Sequence, residues 1–286
     1  MFQPGAGEIV ETMLANLDRG RAGGFGLGRY ARVSGRCKEA GILCVPTVGA
    51  VKHAKKMVEL GCDMVTVQGG EGGGHTGAVA TTVLLPQVLD AVKVPVIAAG
   101  GFADGRGLAA ALAYGAVGIA MGTRFLLTAE SAPPDAAKQV YLKAGTDDIH
   151  VTTKIDGLPQ RMVRTAMFDR IEKSGPLGMW LRAIEGGLAM KKRTGASGRE
   201  LIAAARGMTS HGGLRFMQAM LAAAAPTLIQ KAVVDGDIEH GVMATGLVAG
   251  RITSLPTCAE LLADIEREAR ARIAALTATV ANERAA

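Results

Sequence analysis

The strongest constraint on the fold is a unit that occurs four times in the first half of the chain. Each copy joins a helix end, a glycine, a short apolar strand and a loop that contains glycine: KEAGILCVPTVG, VELGCDMVTVQGG, DAVKVPVIAAGG and LAYGAVGIAMGT. The loop glycines Gly49, Gly69, Gly100 and Gly122 are separated by 20, 31 and 22 residues. Such spacing leaves room for a helix between successive strands. It therefore predicts the strand–helix units of a parallel sheet.

Successive strand–helix units without a Rossmann GxGxxG that joins a strand directly to a helix favour a TIM-type (β/α) barrel over a doubly wound sheet. A full barrel has eight strands, whereas this sequence predicts five. They lie at about 24–27, 42–47, 63–67, 94–99 and 116–121. The predicted class is therefore α/β, a (β/α) barrel that is N-terminally incomplete. The pattern from residue 177 onward is mostly helical. We predict a partial (β/α) barrel domain over 1–165 and a helical C-terminal lobe, packed on the barrel, over 166–286.

Composition excludes several classes of protein. With 49% hydrophobic residues, the chain can offset the entropy of folding by burial, which excludes disorder as its main state. No apolar run approaches the length of a membrane span, and the N-terminus lacks the apolar region of a signal peptide. Aromatic residues make up only 3% and the net charge is a modest +6, which argues against nucleic-acid binding. Four cysteines without CxxC spacing predict no metal site and a reducing, cytoplasmic location.

The densest chemical signal is the segment QGGEGGGHTG, which begins at Gln68 directly after a predicted strand. In (β/α) barrels the loops that follow the strands form the active site. The glycines of this loop would let the backbone approach a flat ligand closely and adopt positive φ angles. A histidine at the end of such a glycine run is predicted to be functional, which makes His75 the candidate catalytic residue.

Two further loops have the pattern of a phosphate site. Gly100 and Gly101 follow one predicted strand, and Gly122 and Thr123 follow the next. Each loop can direct backbone N–H groups at a dianion, and the last strand loops of barrels commonly hold a phosphate. One such glycine alone would be an ordinary turn residue. Two neighbouring strands with the same ending predict binding.

The stretch VQGGEGGGHTG, followed by PVIAAGGFADGRGLAAALAYGA, MGTRF and VTTKIDGLPQRMVRT, resembles the nitronate monooxygenase family, whose members are FMN-dependent barrel enzymes. The resemblance extends from about residue 38 to residue 165. It implies that the cofactor is FMN and that His75 is the catalytic histidine beside it. The residues that it assigns to FMN are Gln68, Gly73, Gly74, Gly100, Gly101, Ala120, Met121, Gly122 and Thr123. We interpret Arg106 and Arg124, close to these loops, as structural ion-pair residues, although either could approach a phosphate.

The family's activity implies a small-molecule substrate, an alkyl nitronate or nitroalkane that molecular oxygen converts to a carbonyl compound and nitrite. His75 would hold the nitronate or take the α-proton of the nitroalkane. The alternative is an NAD(P)H-dependent FMN reductase or dehydrogenase that acts on an enone or on an acyl thioester of CoA or ACP. The basic residues Lys191, Lys192 and Arg193 favour this alternative because such substrates are anionic, although they would equally suit a solvated helix face.

A third alternative is a truncated, non-catalytic fragment. The family carries further strand–helix units upstream of the segment that begins near residue 38. A sheet of five strands would also leave two edges that a closed barrel does not have. A second copy of the chain could cover such an edge, which would make the protein a homo-oligomer.

Overall fold

The computed structural model describes residues 11–12, 22–26, 30–175, 178 and 216–283. Five strands form one sheet, and each lies within two residues of its predicted position. Their bounds are Ala22–Gly26 (β1), Leu43–Val48 (β2), Val65–Gln68 (β3), Val96–Ala99 (β5) and Gly118–Ala120 (β6). The strand β4 (Gly74–His75) belongs to a second sheet.

In the five-stranded sheet the strand order is β1-β2-β3-β5-β6, and every neighbouring pair is parallel. A doubly wound sheet would reverse its order at a switch point, whereas a (β/α) barrel adds each new strand beside the last. The helices that follow the strands are α1 (Tyr30–Glu39), α2 (Val51–Glu59), α3 (Thr81–Ala91), α4 (Gly105–Tyr114) and α5 (Thr123–Leu126). The sheet is therefore the half-barrel of α/β class that the sequence predicts.

The core of this half-barrel lies where strand residues meet the helices. Val65 and Val67 of β3 are fully buried together with Leu85 and Val88 of α3. Thr66, between the two valines, is only partly buried because successive strand residues point to opposite faces. Full burial of a Val or Leu side chain contributes about 1.5–3 kcal/mol. The apolar strand residues thus fix which face of the sheet the helices cover.

The chain divides into two compact units. The first comprises Met1–Gly72, Thr76–Ala129 and Leu255–Ala286, and the second comprises Gly73–His75 and Glu130–Ser254. The C-terminal part of the described chain is helical, as predicted, and contains α8 (Phe216–Val233) and α9 (Cys258–Glu283). The predicted domain boundary between residues 165 and 166 stays a prediction.

In the first unit, α9 packs closely along α4. A Cβ atom on Gly105 would lie 2.5 Å from the backbone of both Ala269 and Ile265, so only glycine permits this approach. The Glu268 carboxylate of α9 accepts a hydrogen bond of 2.9 Å from the Gly105 N–H at the start of α4. Asp104 caps the same helix by accepting from the Gly107 N–H at 3.1 Å.

The second unit contains a small antiparallel sheet in the order β4-β8-β7, with β7 at Ile149–Thr152 and β8 at Gln160–Val163. Its described helices are α6 (Asp135–Lys143), α7 (Ala166–Lys173) and α8. The Tyr141 hydroxyl of α6 donates to the Ala244 carbonyl at 2.9 Å, and the Thr245 N–H donates to the Arg161 carbonyl of β8 at 3.1 Å. These contacts hold the segment around Ala244 against β8.

Within the described ranges, no helix combines the length and the apolar character that a membrane crossing would require.

Candidate active site

Most of the predicted cofactor residues lie where three neighbouring strands of the first unit end. Ala99 at the end of β5 pairs with Gln68 of β3 on one side and with Ala120 of β6 on the other. Parallel strands end at the same edge of a sheet, so the loops that follow them lie side by side. The residues brought together in this way are Gln68, Gly100, Gly101, Ala120, Met121, Gly122 and Thr123. Gly73, Gly74 and His75 belong to the second unit.

The backbone N–H groups of Gly101 and Gly122, at these strand ends, are suited to an anion. Gly100 and Gly101 have φ angles of +95° and +84°, which only glycine adopts without strain. Within residues 30–175 and 216–283, no protein group accepts a hydrogen bond from the N–H of Gly101 or of Gly122. A Cβ atom on Gly122 would meet nothing within 4 Å, so there is open space beside it. A Cβ atom on Gly101 would instead lie 3.4 Å from Cβ of Glu71. Backbone N–H groups without a protein acceptor in these ranges fit a phosphate ester, and the open space is beside Gly122.

The glycines directly after β3 satisfy a packing need of the protein itself. A Cβ atom on Gly69 would lie 2.0 Å from Oγ1 of Thr81, and one on Gly72 would lie 2.5 Å from Nε2 of Gln68. From the sequence we expect these glycines to make room for a flat ligand. They make room first for the protein's own side chains, and the Gln68 side chain lies against its own loop.

Glu71 holds this loop against the loop that follows β5. Its carboxylate accepts hydrogen bonds from the N–H (2.9 Å) and the hydroxyl (2.7 Å) of Thr81, the first residue of α3. The Thr81 hydroxyl oxygen also lies 3.0 Å from the carbonyl oxygen of Gly100. A carboxylate at a helix N-terminus satisfies an N–H that the helix cannot pair and interacts favourably with the helix dipole.

In the second unit, the short strand β4 places His75. Gly74 has a φ angle of +64°, and it is the one glycine of the run at 69–77 with a positive φ. His75 then pairs with Gln160 across the antiparallel ladder between β4 and β8. A Cβ atom on Gly73 would lie 2.6 Å from the backbone N of Gly246, so the residue before this strand must also be glycine.

A buried carboxylate contacts the His75 ring. His75 Nε2 lies 2.6 Å from Oδ2 of Asp156, whose side chain is 1% exposed, whereas the His75 side chain is 46% exposed. Gln160 Nε2 donates to the same Oδ2 at 2.5 Å, and the Leu158 N–H donates to Oδ1 at 3.0 Å. The tight turn between β7 and β8 fixes Asp156, because Gly157 (φ +88°) donates to the Thr153 carbonyl.

The electrostatics of this cluster favour an ionised Asp156. Burial alone would raise the pKa of its carboxyl. The hydrogen bonds from His75, the Leu158 N–H and Gln160, together with the charge of His75, outweigh burial and hold the pKa below its usual range. In this arrangement the His75 ring can take up a proton, and the buried Asp156 carboxylate can stabilise the cation that forms.

Asp156 and Gln160 are functional candidates that reasoning from the sequence does not assign. Both lie in the segment VTTKIDGLPQRMVRT, which contributes to the family resemblance but carries no residue role there. The signal that could have found them is a DGLP turn between two short strand patterns. His75 lies 81 residues before Asp156, so local spacing cannot pair them.

The remaining sequence candidates are structural or lie outside the described residues. Arg106 pairs with Asp104 at 2.5 Å and with Glu268 at 3.3 Å, which agrees with a structural ion-pair role. The buried Arg124 donates to the Leu127 carbonyl. The basic cluster at 191–193 lies outside the described residues. In the part of the chain that the structure describes, no three His, Cys, Asp or Glu residues are grouped so that they could hold a metal ion.

Comparison with known proteins identifies one family and several relatives. The family described as nitronate monooxygenase matches residues 19–268. The chain is 45% identical over 278 residues to a Mycobacterium tuberculosis protein named (3aS,4S,5R,7aS)-5-hydroxy-7a-methyl-1-oxo-octahydro-1H-indene-4-carboxyl-CoA dehydrogenase. This match covers 96% of the chain and 78% of that relative. The Rhodococcus jostii protein of the same name is 46% identical over 258 residues, which cover 90% of the chain and 73% of the relative.

Among solved structures, FabK from Thermotoga maritima superposes with a TM-score of 0.73 at 30% sequence identity. The superposition covers 98% of this chain and 76% of FabK.

Proposed function

The chain belongs to the nitronate monooxygenase family, a family of oxidoreductases, and from this premise we propose that it is an FMN-dependent dehydrogenase of a hydroxyl-bearing acyl-CoA. The proposed substrate class is a CoA thioester of a carbocyclic acid, with a secondary hydroxyl on the ring carbon next to the one that carries the thioester group. Similarity to the two dehydrogenases supports this class, because their name places a 5-hydroxyl beside a 4-carboxyl-CoA. The acyl thioester is the substrate of the alternative given above, which is an NAD(P)H-dependent FMN reductase or dehydrogenase. Oxidation of a hydroxyl goes beyond that alternative and comes from the similarity to the two dehydrogenases.

The observation that carries the proposal is the contact of 2.6 Å between His75 Nε2 and the buried Asp156 carboxylate. A secondary alcohol is a very weak acid, so its hydroxyl proton must be taken by a base as the carbinol carbon is oxidised. A nitronate is already an anion and needs no such base, whereas a neutral nitroalkane would need one for its α-proton. His75 takes the proton in this proposal, and Asp156 stabilises the resulting imidazolium.

FMN is the proposed cofactor, and its chemistry when bound is to accept the hydride that leaves the carbinol carbon. In the part of the chain that the structure describes, the N–H groups of Gly101 and Gly122 have no protein acceptor, which supports binding of its phosphate. The proposed cofactor residues are those of the family resemblance, namely Gln68, Gly73, Gly74, Gly100, Gly101, Ala120, Met121, Gly122 and Thr123. Of these, the strand-end glycines would bind through the backbone. Ala120 would also bind through its backbone, so its side chain is not needed for binding.

A matched pair of variants tests the role of His75. The FMN-loaded protein is mixed with a cyclic 3-hydroxyacyl-CoA and an artificial electron acceptor, and the rate of acceptor reduction is measured. We expect His75→Asn to lower this rate by about 10²–10⁴-fold, because the hydroxyl proton loses its acceptor. His240→Asn is the control, since His240 also contacts an aspartate, Asp237, but in an exposed turn. Its rate is expected to match that of the wild-type protein, and full turnover by His75→Asn would refute the proposal.

A second candidate function is oxidation of an alkyl nitronate by molecular oxygen, to a carbonyl compound and nitrite. The family match over residues 19–268 favours it. In this reaction the protonated His75 would hold the negative charge of the nitronate. Nitrite release from an alkyl nitronate, at a rate above that with the thioester, would select this candidate.

A further inference from the structure

We propose that the hydroxyl of Thr81, held by Glu71, positions the peptide group between Gly100 and Gly101 so that the Gly101 N–H faces the phosphate of the cofactor. Thr81 and Glu71 are positioning residues in this account, since they act through the backbone of that loop. The inference rests on the part of the proposed function that concerns FMN and its phosphate site. It adds to that part the residues that give the protein a preference for a flavin with a phosphate.

The first step is that Thr81 itself is held in place. It is the first residue of α3 and is 6% exposed. The Glu71 carboxylate accepts a hydrogen bond of 2.9 Å from its N–H and one of 2.7 Å from its hydroxyl. The N–H groups at the start of a helix have no partner within the helix, so this carboxylate satisfies a group that would otherwise lack one. Thr81 is thus tied to the loop after β3 as well as to its own helix.

The second step is the contact between Thr81 and the loop that follows β5. The Thr81 hydroxyl oxygen lies 3.0 Å from the carbonyl oxygen of Gly100. A hydroxyl has one proton, so the Glu71 carboxylate and this carbonyl share it in a three-centre hydrogen bond. A Cβ atom on Gly100 would lie 3.1 Å from Oγ1 of Thr81 and 3.1 Å from the carbonyl oxygen of Gly69, so the loop packs directly on these two residues. The direction of the Gly100 carbonyl is therefore fixed.

The third step follows from the geometry of the peptide group. The Gly100 carbonyl and the Gly101 N–H belong to one planar peptide, and no peptide bond in the described part of the chain is cis. The two groups therefore point in opposite directions. Because the carbonyl faces Thr81, the N–H faces away from it, and no protein group in the ranges 30–175 and 216–283 accepts from that N–H. The Thr81 hydroxyl thus keeps this donor available for an anion.

The fourth step is that this peptide group would otherwise turn easily. The φ angles of Gly100 and Gly101 are +95° and +84°, and glycine populates both signs of φ about equally. A peptide between two glycines can therefore rotate without the strain that a side chain would cause. The stem of Glu71 covers Gly101, since a Cβ atom there would lie 3.4 Å from Cβ of Glu71. Thr81 and Glu71 together select the orientation that presents the N–H, whereas the carbonyl oxygen would repel a phosphate.

Binding of two flavins tests the inference, because riboflavin is FMN without the phosphate. The whole chain, freed of flavin, is titrated with each compound, and the ratio of the two dissociation constants measures the preference for the phosphate. We expect Thr81→Val, which removes the hydroxyl at similar volume, to raise the dissociation constant of FMN by about 10–100-fold, as for a lost hydrogen bond to a charged group. The dissociation constant of riboflavin is expected to stay unchanged. Thr81→Ser keeps the hydroxyl and is expected to keep the wild-type ratio.

Thr82→Val is the matched control, since Thr82 follows Thr81 in α3 but is exposed, and its ratio should equal that of the wild-type protein. An unchanged ratio in Thr81→Val, or an equal rise of both dissociation constants, would overturn the inference, because a purely structural role affects both flavins. A wild-type protein that bound FMN no more tightly than riboflavin would refute the phosphate site and the inference with it. The titration uses no thioester, so absent thioester turnover beside an intact FMN preference would refute only the proposed reaction.

Discussion

At the scale of the residue, His75 gains its chemical role from a partner that only the fold supplies. The half-exposed ring can meet a small molecule, while the carboxylate behind it is buried and receives hydrogen bonds from three donors. A buried carboxylate is costly unless its oxygens are satisfied, and here both are. The pair His75–Asp156 therefore combines an accessible proton acceptor with a fixed counter-charge.

Asp156 predicts a pH dependence of stability. The pKa of its carboxyl is lowered in the folded protein, so the ionised group stabilises the fold at pH values above its unfolded pKa of about 4. This contribution is lost as the pH falls through the lower pKa of the folded state. We expect the free energy of unfolding of the wild-type protein to exceed that of Asp156→Asn at neutral pH. The difference should shrink as the pH falls below about 4.

Urea unfolding of both proteins between about pH 7 and pH 3 measures this difference. The control is Asp237→Asn, because the Asp237 carboxyl also has a lowered pKa but is exposed to solvent, where its pairing stabilises little. A difference between the wild-type protein and Asp156→Asn that did not vary with pH would contradict the assignment of an ionised Asp156.

The residue scale also shows which part of the site a sequence can reveal. His75 is predictable because it ends a local glycine run directly after a strand. Asp156 and Gln160 are not, because they reach His75 only through the pairing of β4 with β8. A two-residue strand such as β4 has no periodicity of its own, so that pairing leaves no local pattern.

At the scale of the element, the ends of β5 and β6 form the proposed phosphate site. The N–H of Gly122 is one of its two donors, and the φ angle of Gly122 is −85°, close to the angle that proline fixes. We expect Gly122→Pro to remove the donor with little strain and to weaken FMN binding by about 10–100-fold, as for a lost hydrogen bond to a charged group.

Gly122→Ala is the matched control, since it keeps the N–H and its methyl group meets no atom within 4 Å. Fluorescence titration of FMN into each protein gives the dissociation constants. Equal weakening by both substitutions would assign the effect to the added side chain and not to the lost donor.

The packing of α9 on α4 gives a second prediction at this scale. Glu268 accepts a hydrogen bond from the first N–H of α4, whereas Glu266 on the same helix pairs with Arg270, one turn away, at 2.8 Å. We expect Glu268→Ala to lower the free energy of unfolding by about 1 kcal/mol, as for loss of a helix cap. Glu266→Ala should cost less than about 0.5 kcal/mol. Chemical unfolding curves compare the two, and equal effects would contradict a capping role for Glu268.

The elements of the half-barrel are predictable because each strand and glycine loop is local in sequence. All five strands lie within two residues of the predicted positions, and their order follows from the repeat. The small antiparallel sheet was not predicted as such, since it joins residues 74–75 to strands more than seventy residues further along. Local patterns do not encode pairings of that separation.

At the scale of the whole molecule, the family membership and the geometry of the site support complementary parts of the account. The family match over residues 19–268 establishes an oxidoreductase of the nitronate monooxygenase family. The names of the relatives at 45% and 46% identity support the proposal that the substrate is a CoA thioester. The His75–Asp156 pair supports removal of a substrate proton, which an alcohol or a neutral nitroalkane requires and a nitronate does not.

The most direct test of this account is the visible absorbance of the FMN-loaded wild-type protein in the absence of oxygen. One equivalent of a cyclic 3-hydroxyacyl-CoA is added, and an alkyl nitronate is added to a parallel sample. The account predicts rapid bleaching of the oxidised flavin by the thioester, with formation of the 3-oxoacyl-CoA. A flavin that stays oxidised with the thioester but is bleached by the nitronate would contradict it.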